Sequence, residues 1–270
     1  MKKLVTLLSA LSLIMTNCSD DDRAGGQSLF VPSKITIAHV NADRNDELFF
    51  TYNTANQIIQ IESITTEGNS TSTHMTSFEY NNDGALSKAS TQYVDTGFII
   101  QLDFFYNADN TLVSIDYFHE QNVISEELGV TFDHERNQYA VDVLSAVFTA
   151  PRDFVFDDLG QLYQYKQFGA GDFWTFVYDP DKKGVFADVN KQHALHIWGQ
   201  LLFPTGSNRY FFAKKTLINY TRPDEAIETY YDNQIYDANG NLVEYEQYYY
   251  DFDMEIYKLS IETQVVYDKI

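Results

Sequence analysis

Residues 235–245 read IYDANGNLVEY, which is the clearest copy of a unit that recurs along the chain. The unit has an apolar residue, Tyr, then Asp or Asn, then turn-forming residues ending in Gly or Asn, then Leu or Ile. Gly or Asn supplies the positive φ that a short hairpin loop requires, and the preceding Asp or Asn can accept hydrogen bonds from the turn backbone. Each copy therefore predicts a β-hairpin.

Further copies share this order of residue types and differ mainly in the turn. They are residues 50–58, 78–86, 104–112, 154–162 and 177–185. Their aromatic anchors, Tyr52, Tyr80, Tyr106, Phe132, Phe156 and Tyr178, lie 28, 26, 26, 24 and 22 residues apart. Each interval accommodates two strands, so the repeat predicts an all-β fold, an antiparallel up-and-down meander of about 14 to 16 strands.

The expected shape follows from the number of strands. About eight strands already fill a barrel interior with side chains, so a round barrel of twice that number would be hollow. Because the apolar face has to be covered, we expect a flattened barrel or a strongly curved sheet whose walls touch. The repeat breaks at residues 189–202, where Leu195, Trp198 and Leu202 have helical spacing before Pro204. This predicts one short helix near 190–202, packed across an end of the sheet.

Residues 248–256, YYYDFDMEI, show the clearest alternation of the chain. The pattern predicts a single strand with one buried and one solvated face. The buried face carries the apolar positions Tyr248, Tyr250, Phe252, Met254 and Ile256. Carboxylates on the other face are unsuited to lipid, which argues against an outer-membrane porin.

The amino terminus has the organisation of an export signal. Lys2 and Lys3 precede an apolar run that is too short to span a bilayer permanently, so residues 1–17 are predicted to be a signal peptide. Cys18, the single cysteine, resembles the acylated first residue of a mature bacterial lipoprotein, and an incidental free thiol in a secreted protein is the alternative. We expect residues 18–32 to be a lipidated, acidic, flexible tether and residues 33–270 to be one all-β domain.

Two family resemblances are carried by these motifs. The Tyr-Asp-x-x-Gly-x-Leu unit resembles the YD repeats of large bacterial surface and toxin-shell proteins. The Tyr-Asp turn at 178–179, followed by residues 182–186, a helical break and returning Tyr-rich hairpins, is similar to a Bacteroidetes lipoprotein domain of unknown function with a porin-like fold. In such lipoproteins the sequence at 18–22, CSDDD, resembles the signal for export to the outer face of the outer membrane. The resemblance implies triacylation, including palmitate, at Cys18 and carries no catalytic residue.

The charge of the chain limits its partners. The formal net charge is −21, and removal of residues 1–17 with Lys2 and Lys3 brings it to about −23. Such a surface repels nucleic acid and anionic lipid headgroups, so we expect neither as a partner. Attachment to a membrane would then depend on the lipid anchor, for which more than one acyl chain is sufficient.

Three groups of polar residues are candidates for a chemical site. His193 and His196 could share a metal ion, but no third ligand is tied to them, which favours a pair on the helix surface without metal. Asp237, Asn239 and Asn241 alternate like a calcium loop, but an EF-hand needs Gly at its sixth position and Glu at its twelfth, which favours a turn. Asp251, Asp253 and Glu255 would line one strand face about 7 Å apart, within reach of a glycosidase acid pair, and a solvated face is the alternative.

The remaining functional indication is aromatic. Trp174, Trp198, Tyr248 and Tyr250 are the candidate stacking platforms for sugar rings, while core packing is the alternative for each. The sequence favours a non-catalytic surface lipoprotein that binds a ligand, with a glycan as the leading class and no cofactor. A structural component that docks another surface protein is the second hypothesis. A hydrolase is the third.

Overall fold

The computed structural model describes residues 28–120, 124–142, 151–167, 172–190, 193–202, 213–221 and 227–270. The described residues form a closed barrel of sixteen antiparallel strands with one α-helix. Strands 1–8 are β1 (Phe30–His39), β2 (Arg44–Tyr52), β3 (Ile58–Glu67), β4 (Ser70–Tyr80), β5 (Leu86–Tyr93), β6 (Ile99–Tyr106), β7 (Leu112–His119) and β8 (Ile124–Asp133). Strands 9–16 are β9 (Gln138–Asp142), β10 (Arg152–Phe156), β11 (Leu162–Gln167), β12 (Asp172–Lys183), β13 (Lys215–Thr221), β14 (Ile227–Tyr236), β15 (Leu242–Asp251) and β16 (Ile256–Lys269), and the helix α1 (His193–Leu202) lies between β12 and β13.

The strands follow an up-and-down order, in which each strand pairs with its neighbours in sequence and β1 closes the barrel against β16. The predicted all-β meander and strand number are confirmed. The sheet closes into a barrel instead of flattening. β1 begins at Phe30, within the segment predicted as tether, because Val31 is buried and Phe30 pairs with Lys269. The predicted signal peptide, Cys18 and most of the tether lie outside the described residues.

The inner face of the wall is apolar, and its outer face carries many exposed carboxylates. Buried residues that point inward alternate with exposed carboxylates next to them in the sequence. The pairs are Phe78 with Glu79, Leu128 with Glu127, Tyr245 with Glu244, and Ile261 with Glu262. A transmembrane barrel has the opposite arrangement, with an apolar band facing the lipid. No helix among the described residues is both long and apolar enough to cross a bilayer. The wall therefore has the polarity of a sheet packed on its inner face by protein.

The helix fills the barrel instead of lying across its end, which corrects the expected position. Every residue from Ala194 to Leu201 is buried, and the indole of Trp198 packs edge-on against the Phe78 ring at 4.8 Å. The helix runs along β10, because His193 stacks on Phe156 at one end of that strand and the Gln200 carbonyl accepts from Arg152 at the other. The walls of a sixteen-stranded barrel do not need to touch when a helix supplies the missing interior volume.

Five hairpin turns lie at one end of the barrel, which we call the turn end. They are residues 53–57, 81–85, 107–111, 157–161 and 237–241. In each, the first side chain, Asn53, Asn81, Asn107, Asp157 or Asp237, accepts hydrogen bonds of 2.8–3.0 Å from the backbone N–H groups two and four residues later. The fourth residue, Asn56, Gly84, Asn110, Gly160 or Gly240, has a φ of 58–78°. Five of the six copies of the sequence unit therefore share one turn geometry. The hairpin predicted at residues 177–185 is wrong, because β12 continues to Lys183 and pairs with β13 there.

The tyrosines of the unit connect one hairpin to the next. The Tyr80 hydroxyl donates to the Ile58 carbonyl at 2.7 Å, and Ile58 is the first residue after the preceding turn. The same link joins Tyr106 to Leu86, Tyr178 to Leu162 and Tyr267 to Leu242, while Tyr52 donates to Pro32. Burial raises the pKa of the Tyr80 hydroxyl, so it remains a donor at any physiological pH. Side-chain hydrogen bonds thus fasten the turn end around the barrel.

Candidate functional site

An exposed set of aromatic rings lies on the outer wall at the opposite end of the barrel, which we call the far end. The Tyr230 and Tyr248 rings are stacked with centroids 4.8 Å apart and an interplanar angle of 6°. Tyr257 contacts Tyr230 edge-on at 4.7 Å and Tyr250 at 5.0 Å, and Tyr250 contacts Phe252 at 4.9 Å. We call these five residues the aromatic platform. Tyr257 is 37% exposed and Phe252 58%, so the platform presents ring surface to solvent.

The platform sits on a hairpin that extends beyond its neighbour. On one side the regular pairing of β16 with β1 ends at Ile261, opposite His39, and the turn at residues 40–43 still contacts β16, because the Val40 N–H donates to the Ser260 carbonyl at 2.9 Å and the Asn41 amide donates to the Leu259 carbonyl at 3.0 Å. The three residues from Ile256 to Lys258 continue past these contacts, and Tyr257 pairs with Tyr250 within this extension. Three strand residues correspond to about 10 Å. The Tyr250 and Tyr257 rings therefore lie beyond the adjacent β1–β2 hairpin.

A carboxylate is held beside the stacked pair. The Tyr248 hydroxyl and the Asn233 side-chain amide both donate to Glu246 Oε2 at 2.5 Å, which fixes the carboxylate in orientation. The hydrogen bond to Glu246, with burial as a smaller cause, raises the pKa of Tyr248 to about 12, so the hydroxyl keeps its proton. Planar rings beside an oriented carboxylate and an amide can stack on a sugar ring and hydrogen-bond to its hydroxyl groups.

The end of the hairpin differs from the predicted single strand over 248–256. β15 ends at Asp251, residues 252–255 form a turn, and β16 begins at Ile256. Asp251 Oδ1 accepts from the backbone N–H groups of Asp253 and Met254 at 3.1 Å, and Glu255 adopts a φ of 54°. The predicted buried face is wrong here, because Met254 and Ile256 are 61% and 49% exposed. The sequence of residues 248–256 alternates as a strand would, although the hydrogen bonds to Asp251 form a turn there.

The structure brings two of the predicted ligand-binding residues together and separates the other two. Tyr248 and Tyr250 both belong to the platform. Trp174 is 7% exposed and stacks on Tyr165 at 5.1 Å, while Trp198 is fully buried beneath Phe78. Both tryptophans are packed in the barrel interior, so neither presents a ring face to the outer wall.

The three polar groups have structural placements. His193 and His196 lie inside the barrel against Phe156 and not on an exposed helix surface, and burial lowers the pKa of His193. The described residues contain no group of three or more His, Cys, Asp or Glu arranged to hold a metal ion. The Asp237 segment is confirmed as a turn.

The predicted row of three carboxylates does not form. Asp251 binds the Lys258 ammonium at 2.5 Å, and Asp253 and Glu255 project from the turn into solvent. A hydrolase of this kind needs a pair of carboxylates in a cleft, and Asp251, Asp253 and Glu255 do not supply one.

Sequence reasoning missed two members of the platform, Tyr230 and Tyr257. They are brought to Tyr248 and Tyr250 by strand register, since Tyr230 pairs with Tyr248 and Tyr257 with Tyr250. Pairing the aromatic residues of β14, β15 and β16 about the turn at residues 252–255 could have found them, but only after that turn had been recognised.

Comparison with known proteins finds similar structures but no similar sequences. No protein-family model matches the chain, and no curated protein matches it at a significant level. A crystal structure of a porin-like protein from Bacteroides uniformis ATCC 8492 matches 88% of this chain and 98% of its own, with 13% identity and a TM-score of 0.42. One from Bacteroides vulgatus ATCC 8482 matches 89% and 99%, with 15% identity and a TM-score of 0.40. At this similarity they assign no activity to this chain.

Proposed function

We propose that this protein is a non-catalytic binding protein, anchored to the outer membrane by acyl chains on Cys18, that presents the aromatic platform to a carbohydrate at the cell surface. The observation that carries the proposal is the exposed, mutually packed set of rings beside the oriented carboxylate of Glu246. A sugar ring offers an apolar C–H face to the rings and hydroxyl donors to the carboxylate. No nucleic acid or cofactor is part of the proposal.

The position of the platform suits display away from a membrane. The described chain begins at Ser28 next to β1, whose first residue Phe30 lies at the turn end. A tether from Cys18 would therefore reach the turn end, and its ten residues could span at most about 35 Å. The platform lies at the far end, so an anchored barrel would hold its rings on the side facing the surroundings.

Glycan-array binding tests the carbohydrate proposal. We expect the full chain to retain one class of oligosaccharide, and we expect Tyr248→Ala and Tyr250→Ala each to weaken binding about fivefold, since a ring contact contributes about 1 kcal/mol. Tyr163→Ala is the matched control, because Tyr163 is 43% exposed on another part of the wall. Uniformly blank arrays, or equal loss in the control, would contradict the proposal.

Fatty-acid labelling tests the anchor separately. We expect a radiolabelled fatty acid to be incorporated into the full chain and to be absent from Cys18→Ala. Label that persists in the variant, or that never appears, would remove the anchor without affecting the carbohydrate proposal.

A second candidate function is docking to another surface protein through the tip of the β15–β16 hairpin. The observation that favours it is the exposed apolar side chains of Phe252, Met254 and Ile256 at the tip of this hairpin. Crosslinking in envelope extracts separates the two functions, since docking predicts one stoichiometric protein partner that Phe252→Ser releases. Carbohydrate binding predicts no such partner.

A further inference from the structure

An open cleft lies on the outer wall at the turn end, between β11 and β12 and away from the aromatic platform. Its volume is about 570 Å³, within the range of roughly 300–1,000 Å³ that small-molecule sites occupy. We call it the β11–β12 cleft. The apolar and aromatic part of its lining is Leu159, Tyr163, Phe176, Val177, Tyr178 and Pro180.

The cleft exists because its two strands separate before they reach the turn end. The pairing of β11 with β12 ends at Gln164 and Thr175. Beyond this point the Tyr178 hydroxyl bridges the gap by donating to the Leu162 carbonyl at 2.7 Å. The same separation occurs between β3 and β4, where Tyr80 makes the equivalent bond.

Between β3 and β4 the next turn of the repeat occupies the corresponding gap. The chain turns back at residues 81–85 directly after Tyr80. The side-chain amide of Gln57, in the preceding turn, donates to the Gly84 carbonyl at 2.7 Å. Successive turns therefore contact each other at this junction.

The β11–β12 junction differs because no turn follows the tyrosine of β12. That strand continues to Lys183, and residues 180–182 bulge out of register with β13. Gln161, the counterpart of Gln57, accepts a hydrogen bond from the Lys215 backbone N–H at 2.7 Å instead of contacting a neighbouring turn. The position that a turn occupies elsewhere is open to solvent here, and it forms the cleft.

A large apolar residue stands beside the cleft where the repeat otherwise has small or polar ones. Leu159 is the third residue of its turn and is 49% exposed. In the other four turns this position is Ala55, Asp83, Asp109 or Asn239. Tyr163 on β11 and Val177 on β12 are 43% and 42% exposed. Exposed apolar side chains gathered in a concave site indicate a ligand-binding groove.

The polar side chains of the cleft hold its frame together. Asp157 Oδ1 accepts from the Leu159 and Gln161 backbone N–H groups, and Asp157 Oδ2 accepts from the Gln161 amide at 2.7 Å. On the opposite side, Lys215 Nζ donates to the Pro180 carbonyl at 2.6 Å. Because these groups fix the turn and the bulge, the surface that remains for a ligand consists mainly of rings and alkyl groups.

The charges around the cleft select against an anionic ligand. The turn and the bulge each carry an exposed carboxylate, Asp158 and Asp181. Lys182 in the bulge is paired with the Asp179 carboxylate at 3.7 Å. Within the lining, the positive charge of Lys215 is offset by Asp157. An anion would therefore meet uncompensated negative charge at the rim, and an uncharged ligand would not.

From this arrangement we propose that the β11–β12 cleft binds a small uncharged molecule through an aromatic ring or an alkyl group. The apolar group packs between Leu159 and Tyr163 on one side and Val177 on the other. Removal of these exposed side chains from water supplies the affinity. The cleft shares no residue with the aromatic platform and lies at the opposite end of the barrel, so it does not depend on the carbohydrate proposal.

Two fluorescent probes with the same ring system test this proposal on the full chain. Phenylnaphthylamine is uncharged, and anilinonaphthalene sulfonate carries a sulfonate on the same rings. We expect phenylnaphthylamine to bind with a rise in fluorescence. We expect the sulfonate to bind about tenfold more weakly, because the carboxylates of the rim repel it.

Two variants locate the binding. We expect Leu159→Asp to weaken phenylnaphthylamine binding about tenfold, and its turn stays intact because Asp83 and Asp109 occupy the same position elsewhere. We expect Tyr163→Ala to weaken binding about fivefold. Val113→Ala is the matched control, because Val113 is 41% exposed and lies at the position equivalent to Tyr163 in another hairpin.

A variant at the far end distinguishes the cleft from the exposed tip of the β15–β16 hairpin. We expect Phe252→Ser to leave phenylnaphthylamine binding unchanged. Loss of binding in Phe252→Ser, or unchanged binding in both Leu159→Asp and Tyr163→Ala, would overturn the proposal. Equal affinity for the two probes, or no binding of the uncharged one, would overturn it as well.

Discussion

The two ends of this barrel are built on different principles. At the turn end, the same Asx turn occurs five times, its tyrosines bind the adjacent hairpin, and the first residues after the turns, Ile58 and Leu86 among them, are fully buried. At the far end, the connections differ from one another and partly exposed rings and ion pairs replace the apolar residues. The sequence repeat therefore specifies one end and leaves the other free to vary, so candidate binding residues gather where the repeat is absent.

The largest effect should come from removing the helix side chain that fills the interior. We expect Trp198→Ala to lower the free energy of unfolding by about 3–5 kcal/mol, because the indole is fully buried and leaves a cavity beneath Phe78. Urea unfolding followed by circular dichroism measures this. Tyr163→Ala, on the outer wall, should change it by less than about 0.5 kcal/mol. A loss below about 1 kcal/mol for Trp198→Ala would mean that the barrel does not depend on its helix.

An intermediate effect should come from the buried carboxylate of the far end. We expect Asp46→Ala to lower the free energy of unfolding by about 2 kcal/mol, since it removes the acceptor of three side chains. The loss is smaller than for a fully buried ion pair because Arg44 and His39 are 24% and 16% exposed and can rehydrate. Asp83→Ala, in an exposed turn, is the control. If both variants unfold alike, the ion cluster contributes nothing measurable to the far end.

A smaller effect should come from one tyrosine link at the turn end. We expect Tyr80→Phe to cost about 1 kcal/mol, because the ring stays packed and only the hydrogen bond to the Ile58 carbonyl is lost. Tyr93→Phe is the matched variant at the far end and should cost less, since its ring also remains stacked on Phe98 and the Tyr93 hydroxyl makes no hydrogen bond to the described residues. Equal costs for the two variants would contradict a special role of the hydroxyl at the turn end. Thermal unfolding of both proteins provides the measurement.

The sequence predicted those parts of the fold that depend on residues close together in the chain. The hairpins follow from residues within one turn, such as Asp237 and Gly240, and their number follows from the spacing of the aromatic anchors. The position of the helix depends on contacts between residues far apart in the chain, such as Trp198 with Phe78. Hydrophobic spacing shows that a helix has an apolar face but not which side of the sheet covers it.

The candidate site was predictable only in part, for a related reason. Tyr248 and Tyr250 were selected because aromatic residues are dense in β15, whereas Tyr230 and Tyr257 become neighbours through register with other strands. The turn at 252–255 was missed because its residues alternate as a strand would, and only the hydrogen bonds to Asp251 distinguish it. Residue type alone indicates Trp174 and Trp198 as ring platforms, but it does not reveal which face of the wall a ring occupies.

The smallest effect at neutral pH should come from exchanging the two residue types that the repeat uses at the start of its turns. Asp237→Asn places at this turn the residue that Asn53, Asn81 and Asn107 supply elsewhere, and its amide oxygen can accept the same two backbone hydrogen bonds. The bond from the Asn241 amide to Asp237 Oδ2 is lost, so we expect a cost of about 0.5 kcal/mol at pH 7 for this solvent-screened site.

The same variant should separate charge from geometry when the pH is lowered. Burial acts to raise the pKa of Asp237, but hydrogen bonds from Asn241 and Asn239 outweigh it and hold the pKa below its ordinary value. A carboxyl whose pKa is lower in the folded state contributes stability above its ordinary pKa and loses it as the pH falls through the lowered value. We therefore expect the difference between the two proteins to disappear between about pH 4 and pH 2, because Asn cannot titrate. A difference that stays constant across this range would show that the negative charge of Asp237 adds nothing to the turn, and that the repeat accepts Asp and Asn for their shared oxygen alone.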